Sequence, residues 1–317
     1  MIPQVNVISF IKFHIIQDGE NYRILLNFRS HDQIFVNNRT GRICKPKRKV
    51  GFLKTIKCAG TSVQNMLLRY SLKHNLNVVL PEREKNDSAN LDFDYSVQNL
   101  HGVEFQTRFS REMIDNTIWE KANLSYHMFL LHTRWNHHEV SRVLKDQGQE
   151  NVFYFSILRD PVMLFRSYWD YFGLSKKYGK TLDEYAKTEI NEYVLYNNMT
   201  YCVDGYNRML TDFGMYCHDM LKQEGTKTES TELIHNKLQE IEENFDLILI
   251  ADSGHYEDGM ILLKHALCWD YKDIINVPHN VFSETQPSYY SEEARKIIKG
   301  IKAFHNYVLH PYDLDWP

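Results

Sequence analysis

The chain alternates between short apolar runs and longer segments whose apolar residues recur with a helical period. In the segment 62–75, "SVQNMLLRYSLKHN", the residues Val63, Met66, Leu67 and Tyr70 fall on one face of a helix. The same reasoning predicts strands in "VGFLKT", "LNVVLP", "YHMFLLHT", "NVFYFSIL" and "FDLILIAD", and helices in "HHEVSRVLKD", "DPVMLFRSYWDYF", "TLDEYAKTEI", "EDGMILLKHALCW" and "SEEARKIIKGIKAF". Strands that alternate with helices predict an α/β fold with a central parallel sheet flanked by helices.

The first part of the chain has a different pattern. The segments "NVISFIKF" (6–13) and "NYRILLNF" (21–28) are typical of strands, and "NNRTG" (37–41) is typical of a turn. A basic, proline-containing connector, "CKPKRK", follows at 44–49. We therefore expect a β-rich N-terminal extension at 1–45 and one large domain at 46–317.

Composition and charge narrow the possible functions. The 317 residues are 43% hydrophobic and 25% charged, as in folded globular proteins, and the net charge of −4 gives no reason to expect a nucleic-acid partner. The most apolar N-terminal stretch, "VNVISFIKFHII", is interrupted by Lys12 and is too short to span a bilayer. Four N-x-S/T triplets permit glycosylation in a secretory lumen, at Asn38, Asn86, Asn123 and Asn198. The cysteines are widely spaced and predict neither a metal site nor a dense disulfide framework: Cys44, Cys58, Cys202, Cys217 and Cys268.

The segment 55–62, "TIKCAGTS", joins a predicted strand to a predicted helix. It lacks the G-x-x-x-x-G-K-[ST] pattern of metal-dependent nucleoside triphosphatases and kinases. Instead, Lys57 precedes Gly60, and Thr61 and Ser62 open the helix, where backbone N–H groups and the helix dipole attract anions. Lys57 can supply positive charge to a leaving oxygen, and the hydroxyls can donate hydrogen bonds. The sequence therefore predicts an anion site, with an ordinary turn capped by Thr61 as the alternative.

A second cationic side chain follows the buried run "NVFYFSIL". Arg159 stands at the end of that predicted strand, and Ser167 lies eight residues later, inside the next helix. Because parallel strands bring their carboxyl ends to one crevice, a guanidinium fork and a hydroxyl there suit a second phosphate. The alternative to a phosphate site is that Arg159 forms an ion pair with a carboxylate and Ser167 only faces a neighbouring helix. Asp160 and Pro161 are expected to cap and begin the helix.

Two anion sites at two strand ends fit a nucleotide that carries two separated phosphate groups. The chain resembles the sulfotransferases that use 3′-phosphoadenosine-5′-phosphosulfate, and most closely the Golgi galactose 3-O-sulfotransferases. The resemblance covers about residues 44–275 and rests on "FLKTIKCAGTS…LLRYSLKHNLNVVLP", "LLHTRWNHHEV", "FYFSILRDPVMLFRSYWDYF" and "FDLILIAD…LLKHALCW". It implies a P-loop-like sulfotransferase fold, metal-free sulfate transfer to a carbohydrate acceptor, and a place in the Golgi lumen. It implies membrane contact only through an anchor that this sequence lacks or through a lipid acceptor.

The resemblance also implies which residues bind the donor. Arg159 and Ser167 would hold the 3′-phosphate, and Tyr168, Trp169 and Tyr171 could stack on a sugar or adenine, although such a stripe is more typical of a core. The loop that holds the 5′-phosphosulfate group would comprise Lys54, Thr55, Lys57, Cys58, Ala59, Gly60, Thr61 and Ser62.

The acceptor hydroxyl needs a base, and histidine suits that role near pH 7. His132 ends the run "YHMFLLHT" beside the expected crevice, and it resembles a strand-end histidine that is the base in uronyl 2-O-sulfotransferases. We predict Lys57 and His132 as the catalytic residues, with a structural role as the alternative for His132. Arg134 and His132 are predicted to bind the acceptor, unless Arg134 forms a surface salt bridge. Weaker candidates for the base are Glu104, His127, His137 and His138.

The predicted acceptor position is O-3 of a β-galactose on a glycolipid or glycan. The family that the chain resembles usually has a histidine where this chain has Ile56. If that histidine contacts the sulfate or the acceptor, this chain lacks one hydrogen-bond donor there, and its acceptor choice or rate would differ. One rival function is a uronyl-type 2-O-sulfotransferase acting on a glycosaminoglycan. That acceptor is densely anionic, so a long basic groove would favour this rival, but the sequence offers only "KPKRK" and scattered lysines. The second rival is a carbohydrate- or nucleotide-binding protein that has lost its catalytic activity. The presence of Lys57, Arg159 and His132 disfavours it.

Overall fold

The computed structural model describes the central part of the chain and shorter segments on either side. The described residues are 13–18, 21–26, 34–35, 45–80, 108–114, 125–145, 152–188, 193–196, 199–202, 208–215, 227–251, 255–275 and 291–300. The strands among them are β1 (Phe13–Asp18), β2 (Asn21–Leu26), β3 (Ile34–Phe35), β4 (Val50–Leu53), β5 (Met128–Phe129), β6 (Phe153–Leu158), β7 (Tyr193–Tyr196), β8 (Met199–Cys202) and β9 (Leu247–Ile250). The helices are α1 (Gly60–Lys73), α2 (His137–Lys145), α3 (Pro161–Tyr171), α4 (Leu174–Tyr178), α5 (Leu182–Thr188), α6 (Arg208–Asp212), α7 (Lys227–Asn244), α8 (Tyr256–Leu267), α9 (Tyr271–Ile274) and α10 (Glu292–Gly300).

The central sheet is parallel, as the alternating pattern predicts. Its strands lie in the order β5-β4-β6-β9, and Val50 is opposite Phe153 in the central pair. Every residue of β4 and of β6 is buried, so both faces of the sheet are covered by other elements. The α/β fold class with a central parallel sheet is therefore confirmed.

The strand order places one crevice at a defined point in the sheet. From β4 the chain crosses to β5 on one side, and it then returns to β6 on the other side of β4. Ligands of open α/β sheets bind where the order reverses in this way, beyond the carboxyl ends of the two strands. The segments that follow Leu53 and Leu158 are therefore neighbours at the switch point.

Two predicted strands are shorter than the sequence pattern indicates. Of the run 76–81 the structure describes residues 76–80, whose strand pairing is limited to a bridge between Val78 and Met128. In the run 126–133, only Met128–Phe129 is a strand, and the Leu130 carbonyl accepts from the Gln64 side chain at 2.8 Å. At Leu130 a hydrogen bond from a side chain takes the place of a backbone hydrogen bond between strands. The hydrophobic pattern of the sequence does not reveal such a contact.

The described residues before residue 45 all lie in strands, in agreement with the predicted β-rich character. The strands β1, β2 and β3 form a separate antiparallel sheet. The first of them is β1 at 13–18, beyond the predicted strand at 6–13, while β2 agrees with the prediction at 21–28. Residues 6–12, the turn at 37–41 and the asparagines of the four glycosylation triplets lie outside the described residues, and the domain boundary at residue 45 stays a prediction.

A second apolar cluster lies beside the main core. It is built by α3, α4, α5 and α10, and its largest members, Trp169 and Tyr185, are 1% and 0% exposed. Asp160 caps α3 by accepting from the N–H groups of Val162 and Met163 at 2.9 and 3.0 Å, and Pro161 is the first helical residue, as predicted. The cap fixes the direction in which α3 leaves the end of β6.

Two glycines give opposite predictions for the same substitution. A Cβ at Gly51 in β4 would lie 2.4 Å from Cδ1 of Tyr154, whereas a Cβ at Gly259 in α8 would meet Leu249 at an ordinary 3.5 Å. We expect Gly51→Ala to destabilise the fold by about 1–3 kcal/mol through overpacking. Gly259→Ala should be neutral or stabilising by up to about 1 kcal/mol, because alanine favours a helix. Chemical denaturation measures both free energies of unfolding, and equal effects would contradict this account of the packing.

Candidate active site

The loop between β4 and α1 is fixed by side chains from distant parts of the chain. The Thr55 hydroxyl donates to the Ile157 carbonyl of β6. The backbone N–H of Ile56 donates to Oδ2 of Asp212 at 2.8 Å. The Lys54 ammonium is buried and donates to Oε1 of Gln64 at 3.1 Å. Because the side chains of Lys54 and Thr55 have protein partners, their part in donor binding stays a prediction.

The same loop contains two residues in the left-handed region of the backbone map. Lys57 has φ 55° and Ala59 has φ 57°. Each such non-glycine residue costs roughly 1 kcal/mol or more, and such strain is concentrated at functional sites. The loop geometry therefore supports a binding role for the segment that contains Lys57.

The first turn of α1 offers backbone donors. Its N-cap residue is Ala59, no side chain caps the helix, and the Ala59 carbonyl accepts from Ser62 and Val63. Within the described residues, the N–H groups of Gly60 and Thr61 have no acceptor. Thr61 is therefore not a cap, and this helix start can donate to an anion.

Gly60 is required by the packing of the loop. A Cβ at this position would lie 2.7 Å from Cγ of Lys54 and 3.3 Å from the Thr55 carbonyl. The glycine thus makes room for the buried Lys54 stem. The close approach of an anion to the Gly60 backbone stays a prediction.

Arg159 and Lys57 meet at the switch point of the sheet. Nη1 of Arg159 donates to the Lys57 carbonyl at 3.3 Å, and the Arg159 N–H donates to Sδ of Met209 at 3.5 Å. Burial of the ammonium group and, second, repulsion by the Arg159 guanidinium lower the pKa of Lys57 from 10.5 to about 8. Two cations held this close together form a site that an anion would stabilise.

The aromatic residues of α3 divide into two groups. Tyr168 and Trp169 are buried in the second apolar cluster. Tyr171 is 49% exposed, and its ring centre lies 3.7 Å from the Lys57 ammonium, a cation–π contact. Tyr171 is therefore the aromatic residue of this helix that borders the loop. Ser167 lies half-buried in the same helix, and its contact with a phosphate stays a prediction.

His132 lies beyond the carboxyl end of β5, and Asp212 of α6 lies beside it. Nε2 of His132 is 3.4 Å from Oδ1 of Asp212, whose other oxygen accepts from the Ile56 N–H. The strand β4 lies between β5 and β6, so His132 and Arg159 follow strands that are not direct neighbours. Asp212 nevertheless connects His132 to the loop that carries Lys57.

The remaining candidates have different surroundings. Arg134 is 9% exposed, and its contact with an acceptor stays a prediction. His127 lies at the amino end of β5, away from the crevice, where its Nδ1 accepts from the Asn77 N–H at 3.2 Å. His137 packs edge-on against Tyr154, and His138 is exposed beside Glu139. Glu104 lies outside the described residues.

Three further properties of the described residues bear on the site. No group of three or more His, Cys, Asp or Glu side chains there is arranged to hold a metal ion. None of the helices in that part of the chain combines the length and apolar character needed to cross a membrane. Cys58 in the loop is a buried thiol that is not part of a disulfide, and Cys268 at the end of α8 is disulfide-bonded.

Sequence comparisons agree with this geometry. The model of the family described as galactose-3-O-sulfotransferase matches residues 11–308. The chain belongs to the galactose-3-O-sulfotransferase family. The match includes the N-terminal strands and extends beyond the range of about 44–275 over which the motifs indicate a resemblance.

Individual relatives are moderately similar. The chain is 28% identical to mouse galactose-3-O-sulfotransferase 2 over 261 residues, which cover 80% of this chain and 58% of the relative. It is 26% identical to human galactosylceramide sulfotransferase, covering 73% of this chain and 48% of the relative. It is 26% identical to mouse galactose-3-O-sulfotransferase 3, and the matched residues cover 71% of this chain and 46% of the relative. The chain thus spans about half the length of these curated relatives.

Ile56 has a packing role in this member of the family. Its side chain packs against both the main core and the second apolar cluster. Its backbone N–H, which any residue except proline would supply, donates to Asp212. Ile56 therefore contacts Asp212 through its backbone and joins the two apolar clusters through its side chain.

Two residues of the site were missed by reasoning from the sequence. Asp212 and Met209 both lie on α6, a helix of five residues, and contact Ile56, His132 and Arg159. No local pattern marks them. Their role depends on the packing of α6 against the carboxyl edge of the sheet, which the apolar periodicity of so short a segment does not predict.

The closeness of Lys57 and Arg159 predicts a particular titration. Lys57 should be charged below and neutral above a midpoint near pH 8, so its attraction for an anion is lost as the pH rises. NMR of isotope-labelled lysine in the ligand-free protein measures the midpoint, and Lys57→Met identifies the resonance. Arg159→Gln removes the repulsion and should move the midpoint to higher pH. A midpoint that Arg159→Gln leaves unchanged would contradict the proximity of the two cations.

Proposed function

We propose that the protein is a sulfotransferase that moves the sulfuryl group of 3′-phosphoadenosine-5′-phosphosulfate to a carbohydrate hydroxyl, O-3 of a β-galactose. The observation that carries the proposal is the meeting of Lys57 and Arg159 at the switch point, with the Arg159 guanidinium 3.3 Å from the Lys57 carbonyl. Membership of the galactose-3-O-sulfotransferase family supports the same reaction. Relatives named for galactose or galactosylceramide support a galactose acceptor.

The residues of the crevice suit a donor with two phosphate groups. The 5′-phosphosulfate group is assigned to the start of α1, where the N–H groups of Gly60 and Thr61 can donate to it. The Lys57 ammonium would stabilise its negative charge. Arg159, at the end of the neighbouring strand, is assigned to the 3′-phosphate together with Ser167. Cys58, Ala59 and Ser62 complete the loop. The binding of both ends requires no metal ion, because side chains and helix donors supply the positive potential.

The transfer is an in-line displacement at sulfur. The acceptor oxygen forms a bond to sulfur while the bond from sulfur to the bridging oxygen breaks, and that electron pair remains on the departing phosphate oxygen. Lys57 stabilises the developing charge on this oxygen, an effect that is strongest in a partly buried site. His132 takes the proton of the acceptor hydroxyl and later releases it to solvent. Arg134 is assigned to the acceptor hydroxyls.

The location follows from the same family. We assign the protein to the Golgi lumen, where the donor and glycan acceptors of such enzymes meet. The disulfide-bonded Cys268 supports an oxidising compartment. The oligomeric state and the aglycone of the acceptor are not part of the proposal.

An acceptor screen with labelled donor tests the function. Galactosylceramide, a β-galactosyl disaccharide such as lactose, and heparan-type chains should be offered to the same preparation. We expect labelled sulfate on the galactosides at O-3, established by analysis of the product. Transfer to heparan-type chains alone would favour the uronyl 2-O-sulfotransferase. Nucleotide binding without any transfer would favour the catalytically lapsed protein.

Substitutions should separate the role of Lys57 from that of Arg159. Lys57→Ala should abolish turnover at saturating donor, because the charge stabilises the leaving oxygen in the transition state. Arg159→Ala and Ser167→Ala should mainly weaken the binding of adenosine 3′,5′-bisphosphate, because their contacts are made equally before and during transfer. Initial rates and calorimetry measure the two effects. Near-normal turnover of Lys57→Ala would contradict its catalytic role.

The role of His132 as base has its own test. His132→Ala should fold, bind the bisphosphate and lose roughly a hundredfold or more in turnover, the usual contribution of a general base. The parent protein should show an acidic limb in its pH–rate profile, because a protonated imidazole cannot accept the hydroxyl proton. Retained turnover with an unchanged acidic limb would exclude His132 as the base.

A further inference from the structure

One buried carboxylate contacts both halves of the proposed site. Asp212 is 6% exposed; its Oδ2 accepts from the Ile56 N–H at 2.8 Å, and its Oδ1 lies 3.4 Å from Nε2 of His132. Its carbonyl accepts from the Trp135 N–H at 2.8 Å. The same residue therefore contacts the loop that carries Lys57 and the segment that carries His132.

We infer that Asp212 is a positioning residue that sets the tautomer and the orientation of His132, an inference that rests on the proposed function. A carboxylate can only accept hydrogen bonds, so a neutral ring facing it carries its proton on Nε2. The lone pair is then on Nδ1, which is the atom that takes the acceptor proton. The 3.4 Å distance exceeds that of a formed hydrogen bond, and such contacts shorten when substrates bind.

The backbone around Asp212 holds the carboxylate in place. Gly214 has φ 84°, and a Cβ there would lie 2.4 Å from the Trp135 carbonyl. Nε of Arg108 donates to the Gly214 carbonyl at 3.0 Å. The chain after α6 is thus packed closely against the segment that follows His132, and the distance between Asp212 and the imidazole ring is set by backbone contacts.

The α6 helix also reaches the third part of the site. Sδ of Met209, three residues before Asp212, accepts from the Arg159 N–H at 3.5 Å. The helix therefore contacts the loop after β4, the segment after β5 and the residue after β6. This placement gives Asp212 a fixed position relative to both cations and to His132.

The substitution Asp212→Asn distinguishes positioning from structural support. The amide oxygen of asparagine can still accept from the Ile56 N–H, so the loop keeps its contact. The amide NH₂ group then faces Nε2 of His132, which must accept, and the ring proton moves to Nδ1. A ring in this tautomer cannot take a proton from the acceptor, as in the corresponding substitution in serine proteases.

The expected result is a loss confined to turnover. Asp212→Asn should lower the rate of sulfate transfer to lactose about a hundredfold or more, the size of a general-base effect. Its affinity for adenosine 3′,5′-bisphosphate and its unfolding temperature should stay near those of the parent. Nitrogen NMR of the ring should show the proton on Nε2 in the parent and on Nδ1 in the variant, with His132→Ala identifying the signals.

A matched control is available at the opposite edge of the sheet. Asp246 precedes β9, and its Oδ2 accepts from the Tyr154 N–H at 2.7 Å, so Asp246→Asn makes the same chemical change away from the crevice. Its turnover should equal that of the parent protein.

Several outcomes would overturn the inference. The first is normal turnover of Asp212→Asn. The second is a loss of stability and of bisphosphate binding in that variant that accompanies the loss of turnover. The third is a His132 ring that carries its proton on Nδ1 in the parent protein. The nitrogen NMR measurement of the His132 ring needs no acceptor. It therefore tests whether Asp212 sets the tautomer even if the parent protein transfers no sulfate to lactose. That lack of transfer would instead count against the proposed galactose acceptor.

Discussion

The parallel pairing of β4 with β6 is the interaction on which the site depends. The register sets Leu53 opposite Ser156, and the Ser156 hydroxyl donates to the Leu53 carbonyl at 2.9 Å. The Thr55 hydroxyl then donates to Ile157, which continues the connection beyond the ladder. Both strands consequently end at the same level, and Lys57 and Arg159 meet there. A slip of one residue would turn every side chain to the other face of the sheet and break the contacts of the Ser156 and Thr55 hydroxyls, so these two hydrogen bonds favour this register.

The meeting of two cations has an energetic consequence for the protein without ligand. Burial and the Arg159 guanidinium lower the pKa of Lys57 to about 8, so the charged form is held under repulsion. Two left-handed residues add backbone strain in the same loop. A bound anion would offset the repulsion, and no rearrangement of the donors would be needed at the moment of transfer. Such preorganisation is the main source of electrostatic stabilisation in enzymes.

The parts that could be predicted from the sequence are those with local causes. The sequence predicts the strands β4, β6 and β9 because strands covered on both faces need continuous apolar runs. It predicts the cap at Asp160 because the N–H groups that the cap accepts from are only two and three residues away. The strand order depends on pairing between distant segments, so the apolar pattern does not indicate that β4 separates the strands that precede His132 and Arg159. Asp212 contacts Ile56 across 156 residues, and nothing near either residue in the sequence indicates that contact.

Ile56 shows how one position can serve packing and the site separately. Its side chain joins the main core to the cluster that includes α3, while its N–H reaches Asp212. Because close-packed interiors transmit displacement, a shift of α3 against the sheet would reach the loop through this side chain. A histidine here would place a polar ring between two apolar clusters, where it would need a partner. The isoleucine removes that requirement, so polar contacts with the acceptor must come from other residues, of which His132 and Arg134 follow β5 at the same edge.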